Sequence, residues 1–272
     1  MDISAARDDV IEYAPCRYGG SRLWFRGPRR SVRSPYVACI GGCGVYGRYV
    51  RAPWPHLLEA RIGRTVVNLG VENAGIDAYL NDPGALATAA NARVLVIQLT
   101  GTHNTSNRFY ATHPRRNDRF LKASQALISL YPEMDFTDVH FTRHLLARLQ
   151  AICPERFGMV AHEVQMAWQS RMRSFVSRME GDVFLLWFAP GALKDLQNDV
   201  LGKEPLLTHD LVDSLARHVC GTLEAVPTQW RLADECLAVP PLEQHRASHL
   251  PGAQAHAVAA DRVAQAILPM LQ

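Results

Sequence analysis

Five short apolar runs, each closed by a turn-forming residue, limit what this chain can fold into. Residues 36–40 run into Gly41-Gly42, 65–69 end at Gly70, and 93–99 close at Gly101. Residues 182–189, with Val-Phe-Leu-Leu-Trp-Phe inside them, stop at Pro190-Gly191, and 222–226 form a shorter fifth run. Apolar runs without polar alternation suit strands buried on both faces, which implies a parallel sheet covered by helices above and below.

Helical signals fall between those runs. Pro55 opens a segment that Gly63 closes, and residues 83–92 are rich in alanine. Phe141, Leu145, Leu149 and Ile152 make one apolar stripe; Val164, Trp168, Met172, Phe175 and Met179 make a second. A last helix places His256, Ala260, Val263, Ile267 and Met270 on one face. The expectation is one three-layer α/β/α domain over residues 1–272, with an N-terminal arm at 1–35 and a strandless helical insertion at 110–180. In such sheets ligands bind at the carboxyl ends of the strands. Gly41-Gly42-Cys43, the 70–75 loop and the 101–107 loop should therefore meet on one edge.

Composition excludes several classes. With 48% hydrophobic and 20% charged residues the chain is an ordinary globular protein. A net charge of +3 does not call for nucleic acid. The six cysteines show no CxxC pair, which points to reduced thiols. No signal peptide and no apolar run near membrane-spanning length is present, so a cytoplasmic location without membrane contact is expected. His140 and His144 share a helix face, but without further ligands no metal or cofactor is expected. Oligomeric state leaves no signature.

Several residues carry the candidate chemistry. Cys43 sits where strand passes into helix, a position favouring thiolate and nucleophilic attack; the same residue could equally fill space under a glycine turn. Asn73, Gly75 and Asn104 could supply oxyanion donors, with Asn68 and Asn107 as alternatives. His249 and His256 compete for the role of base; His256 should face the loop-bearing edge, and Glu243 or Asp77 could orient either. Arginine is concentrated twice. Six lie between Arg17 and Arg33, and Arg108, Arg115, Arg116 and Arg119 accompany His113 in a second group. That second group suits an anion, or a brace against Asp118, Glu133, Asp135 and Asp138.

The order of these segments resembles the SGNH (GDSL) hydrolases. Residues 36–47, Tyr-Val-Ala-Cys-Ile-Gly-Gly-Cys-Gly-Val-Tyr-Gly, are similar to the first block of that superfamily; 66–75 resemble the second and 94–104 the third. Residues 249–256, His-Leu-Pro-Gly-Ala-Gln-Ala-His, resemble the last block, which supplies the catalytic histidine. The phrases around Asn81-Asp82-Pro83 and across 107–120 resemble an uncharacterised bacterial family, the domain of unknown function 6473. The resemblance implies a flavodoxin-like parallel sheet and hydrolysis or transfer of an acyl or ester group. Cys43 stands in the nucleophile position, Gly42 replaces an aspartate, and Arg246 replaces the aspartate that precedes the histidine. Two functions follow: a hydrolase or acyltransferase acting on a small anionic substrate, or a non-catalytic protein that keeps the cleft for an anionic ligand.

Overall fold

The computed structural model describes residues 11–196, 202, 204–231 and 239–271; Cys236 and the first ten residues of the expected arm lie outside these. All five apolar runs form strands: β1 (Val37–Gly41), β2 (Val66–Gly70), β3 (Val94–Gln98), and, beyond the middle segment, β6 (Asp182–Phe188) and β7 (Gly221–Ala225). They make one parallel sheet in the order β2-β1-β3-β6-β7. Strand order reverses between β1 and β3, and in such sheets a crevice opens outside the carboxyl ends at that point. Cys43 follows β1 and the 101–107 loop follows β3, so both flank the crevice.

Alternation along each strand divides the core. Val37 and Cys39 of β1 face α2 (Trp54–Ile62) and α10 (Ala253–Ile267), joining a cluster that holds Trp54, Leu58 and Val263. Ala38 and Ile40 face the other way, toward α3 (Ile76–Leu80), α4 (Pro83–Ala90) and the end of α7 (Pro154–Val176), among Tyr79, Trp168 and Phe175. Trp54 and Leu58 are fully buried, each contributing about 1.5–3 kcal/mol by leaving water. Gly63 ends α2 at φ +60, a left-handed conformation that explains the glycine.

The middle segment departs from the expectation of helices alone. β4 (Tyr110–Thr112) and β5 (Phe120–Ala123) pair antiparallel, with a register shift at Ala111/Thr112, before α5 (Gln125–Leu130) and α6 (Thr142–Ile152). Tyr110, Tyr131, Leu145, Leu149 and Val160 form a separate apolar cluster there. Continuous over 23 residues, α7 gives its first half to that cluster and its second to the main sheet.

The described part of the arm crosses the domain. Cys16 and Phe25 form an antiparallel bridge, while Tyr18, Leu23 and Phe25 bury their side chains in the main core. Arg26, only 4% exposed, donates to the carbonyls of Gly47, Val50 and Arg51, and at 3.4 Å to that of Tyr46. No helix among the described residues is long and apolar enough to cross a membrane.

Candidate active site

The loops after the strands enclose a cavity of about 730 Å³. Cys43, Asn73 and Asn104 come to it from the loops after β1, β2 and β3. Trp230 and His249 close the side beyond β7, His249 following the short α9 (Gln244–Ala247). Gly41 and Gly44 beside Cys43 pack against Gln98: an added Cβ would lie 2.6 Å from its Cβ and 2.6 Å from its Nε2, respectively.

Cys43 begins α1 (Cys43–Tyr46), a single four-residue turn, and is partly exposed to the cavity. Its thiol donates to Asn73 Oδ1 at 3.6 Å. Burial pushes the thiol above its ordinary pKa; the Asn73 backbone N–H opposes this, the Glu72 carboxylate adds to it, and the Arg246 guanidinium opposes it. The expected thiolate-favouring environment is therefore corrected: one short turn supplies too little dipole to offset desolvation. Arg246, in the place of the missing aspartate, is near enough for its positive charge to act on Sγ. It is held by Glu72 Oε2 at 2.6 Å, while Glu72 Oε1 takes Arg48 at 2.5 Å. Arg48 reaches on to Glu243 at 2.8 Å, so Glu243 braces this ladder, and no hydrogen bond joins it to either candidate histidine among the described residues.

The oxyanion candidates are partly engaged in the scaffold. Asn73 adopts φ +55 and turns its amide toward Asp118 at 3.4 Å. The Gly75 N–H donates to Asn117 Oδ1 at 2.9 Å and is thus already used. Asn104 donates to the Asn73 carbonyl at 3.1 Å and accepts from Thr142 at 2.8 Å, leaving its second N–H. Asn68 and Asn107 hydrogen-bond their own neighbourhoods, at Gly70 N and at Phe109 N.

The histidines separate. His249 lines the cavity, its ring 4.9 Å from that of His245. His256 points inward as its stripe implied, but into the core between α10 and α2 and not toward the loop edge. It is fully buried, accepts the Trp54 N–H at Nδ1 over 3.0 Å, and packs edge-on against Phe188. Burial, with Arg26 adding to it, pushes the His256 pKa down to about 3. Among the described residues no carboxylate hydrogen-bonds either histidine; Asp77 is held by Arg171 at 2.9 Å and by Ser106 N. Sequence reasoning passed over Arg143, Trp230 and Glu204 as wall residues, and His103 lines the cavity with them. His103 is signalled only by its place after β3; burial and the Arg143 charge hold its pKa down at about 3.

The second arginine group does not line this cavity. Arg108 turns away to Glu163 at 3.1 Å, because the Asn107 side chain caps the backbone there and reverses the chain. Arg115, Arg116, Arg119 and His113 lie behind the Val71–Glu72 turn instead.

A family model described as a domain of unknown function, DUF6473, matches residues 1–271. No curated protein matches the sequence. Three solved structures are similar in chain path. A G-D-S-L family protein from Desulfitobacterium hafniense DCB-2 is 13% identical, covering 85% of this chain and 99% of its own, with a TM-score of 0.44. A family two carbohydrate esterase from Clostridium thermocellum, in complex with cellohexaose, is 10% identical over 92% and 67%, at 0.45. A variant of an acetyl-xylooligosaccharide esterase from Geobacillus Stearmophilus is 10% identical over 86% and 94%, at 0.44.

Proposed function

Since the chain belongs to the DUF6473 family, whose description carries no activity, we propose a function from its own cavity: thiol-dependent hydrolysis or transfer of an acyl or ester group on a small anionic substrate. The observation that carries this reading is the meeting of Cys43 and His249 in one 730 Å³ cavity at the carboxyl ends of the strands. Cys43 Sγ attacks the ester carbonyl, and His249 takes the thiol proton and returns it to the leaving alkoxide. The second N–H of Asn104 is available to the oxyanion. Arg246 beside the sulfur and Arg143 in the wall support a substrate carrying negative charge.

The ligand-binding reading has its own support: the Gly75 amide is occupied, and no described carboxylate orients His249. Release of p-nitrophenolate from a carboxylate-bearing p-nitrophenyl ester separates the two. Turnover is expected, with Cys43→Ala and His249→Ala each lowering it by about a hundredfold or more. A protein that such anions stabilise against heat without turnover would instead be the binder.

Because burial raises the Cys43 pKa, alkylation by iodoacetamide should be slow near neutrality and climb about tenfold per pH unit until that pKa is reached. Arg246→Ala removes a cation that favours thiolate, so labelling of Cys43, followed by mass mapping, should slow several-fold. Unchanged labelling would remove Arg246 from the thiol's electrostatics.

A further inference from the structure

The two arginine concentrations, about a hundred residues apart in sequence, are brought to one place. Arg17 and Arg22 of the arm face Arg115, Arg116, Arg119 and His113 across a cavity of about 600 Å³. None of its lining residues also lines the Cys43 cavity. The two hollows lie back to back, separated by α1 and the turn that carries Glu72 and Asn73.

Five guanidinium groups around one hollow repel each other unless something negative lies between them. Most of the described carboxylates near them are engaged elsewhere. Among the described residues none of the five takes part in an ion pair. Glu72, the one acid among the described wall residues, already holds Arg48 and Arg246. Glu133 is bound by Arg156, and Asp135 accepts from Thr137. Asp118 accepts from Asn73 and does not line the hollow; its charge acts on Arg119 and Arg116 but forms no ion pair with either.

Both sides are also fixed in position. The loop side is a tight turn: His113 Nδ1 accepts the backbone N–H groups of Arg115 and Arg116 at 3.2 and 3.1 Å, and His113 N donates to the Arg119 carbonyl. With Nδ1 accepting, the neutral ring carries its proton on Nε2, as a donor. On the arm side, Arg22 N donates to the buried Asp82 at 2.8 Å. The Arg17 guanidinium stacks 3.8 Å over Trp24, and that of Arg119 lies 4.4 Å over Phe141. Stacking fixes the plane of a guanidinium and leaves its N–H edge for bidentate bonds to a tetrahedral oxyanion.

We infer that this hollow is a binding site for a ligand bearing two adjacent phosphoryl groups, a diphosphate, gripped jointly by the arm and the 113–119 turn. Five guanidinium groups carry more positive charge than one phosphate dianion neutralises, and the volume of about 600 Å³ accommodates a diphosphate with an organic group attached. The inference stands apart from the chemistry at Cys43, which needs none of these residues.

Isothermal titration with inorganic pyrophosphate, on the full chain at constant ionic strength, tests it. Saturable binding is expected, weakened at least about tenfold by Arg22→Ala and likewise by Arg116→Ala, one from each side. Trp24→Ala should weaken it too, by releasing Arg17. Inorganic sulfate at the same ionic strength should compete poorly. Far-UV circular dichroism establishes that each variant is folded, as expected for exposed side chains. No binding to the wild type, loss confined to the loop variant, or sulfate competing as well as pyrophosphate would each overturn the joint site.

Discussion

Acidification is expected to destabilise this protein steeply, because two imidazoles are buried in neutral form. His256 and His103 both have pKa values pushed down to about 3, chiefly by burial. In the unfolded chain they would titrate near about 6.5. Above that value both states are neutral and the stabilising difference is fully present. Between about 6.5 and 3 the unfolded chain binds two protons that the native one refuses, so stability falls as pH falls. The slope is about 1.4 kcal/mol per pH unit for each histidine, or about 2.7 for the pair. Two pH units would then remove roughly 5 kcal/mol, comparable with the whole margin of many domains. For His256 the cause is visible: a proton on Nδ1 would meet the Trp54 N–H that Nδ1 now accepts. Urea unfolding across this range should show the slope, and His256→Gln should reduce it by about half. A flat profile would mean that water reaches both rings.

The second large effect is expected at Arg26. Its guanidinium is the donor for the carbonyls of Gly47, Val50 and Arg51, the segment that follows the Cys43 turn. Arg26→Ala removes a buried cation and leaves those carbonyls unpaired, at a cost of about 3–5 kcal/mol. In a chain of this size that lowers the melting temperature on the order of 10 °C. Arg26→Lys should recover little, since a point charge cannot bridge carbonyls that a planar fork spans. A variant melting within a degree or two of the wild type would show the arm to be held by Tyr18, Leu23 and Phe25 alone.

The parallel sheet was legible because its strands are unbroken apolar runs with glycine or proline after them, a local pattern. β4 and β5 were not, since three- and four-residue strands with a register shift are too short to establish a period. The stripe on α10 correctly turned His256 inward, but sequence alone could not tell the core beneath α2 from the loop-bearing edge. Convergence of the 41–43, 70–75 and 101–107 loops followed from strand direction. The convergence of Arg17 and Arg22 with the 113–119 turn did not, because it depends on where an aperiodic arm is laid. Nor could the Cys43 environment be read, since the length of α1 and the presence of Arg246 beside the sulfur are tertiary facts.

The hydrogen bonds that hold the last segments against the first half join distant parts of the chain: Trp54 to His256, Arg48 to Glu243 and Arg246 to Glu72 are separated by 202, 195 and 174 positions. During synthesis the nascent chain therefore carries its thiol long before the wall with His249 exists. Until α9 and α10 leave the ribosome, Cys43 lacks the wall that carries His249, and it is open to oxidants and stray electrophiles. The interval between making the first strand and docking the last helix is the period in which this protein is most vulnerable to covalent damage.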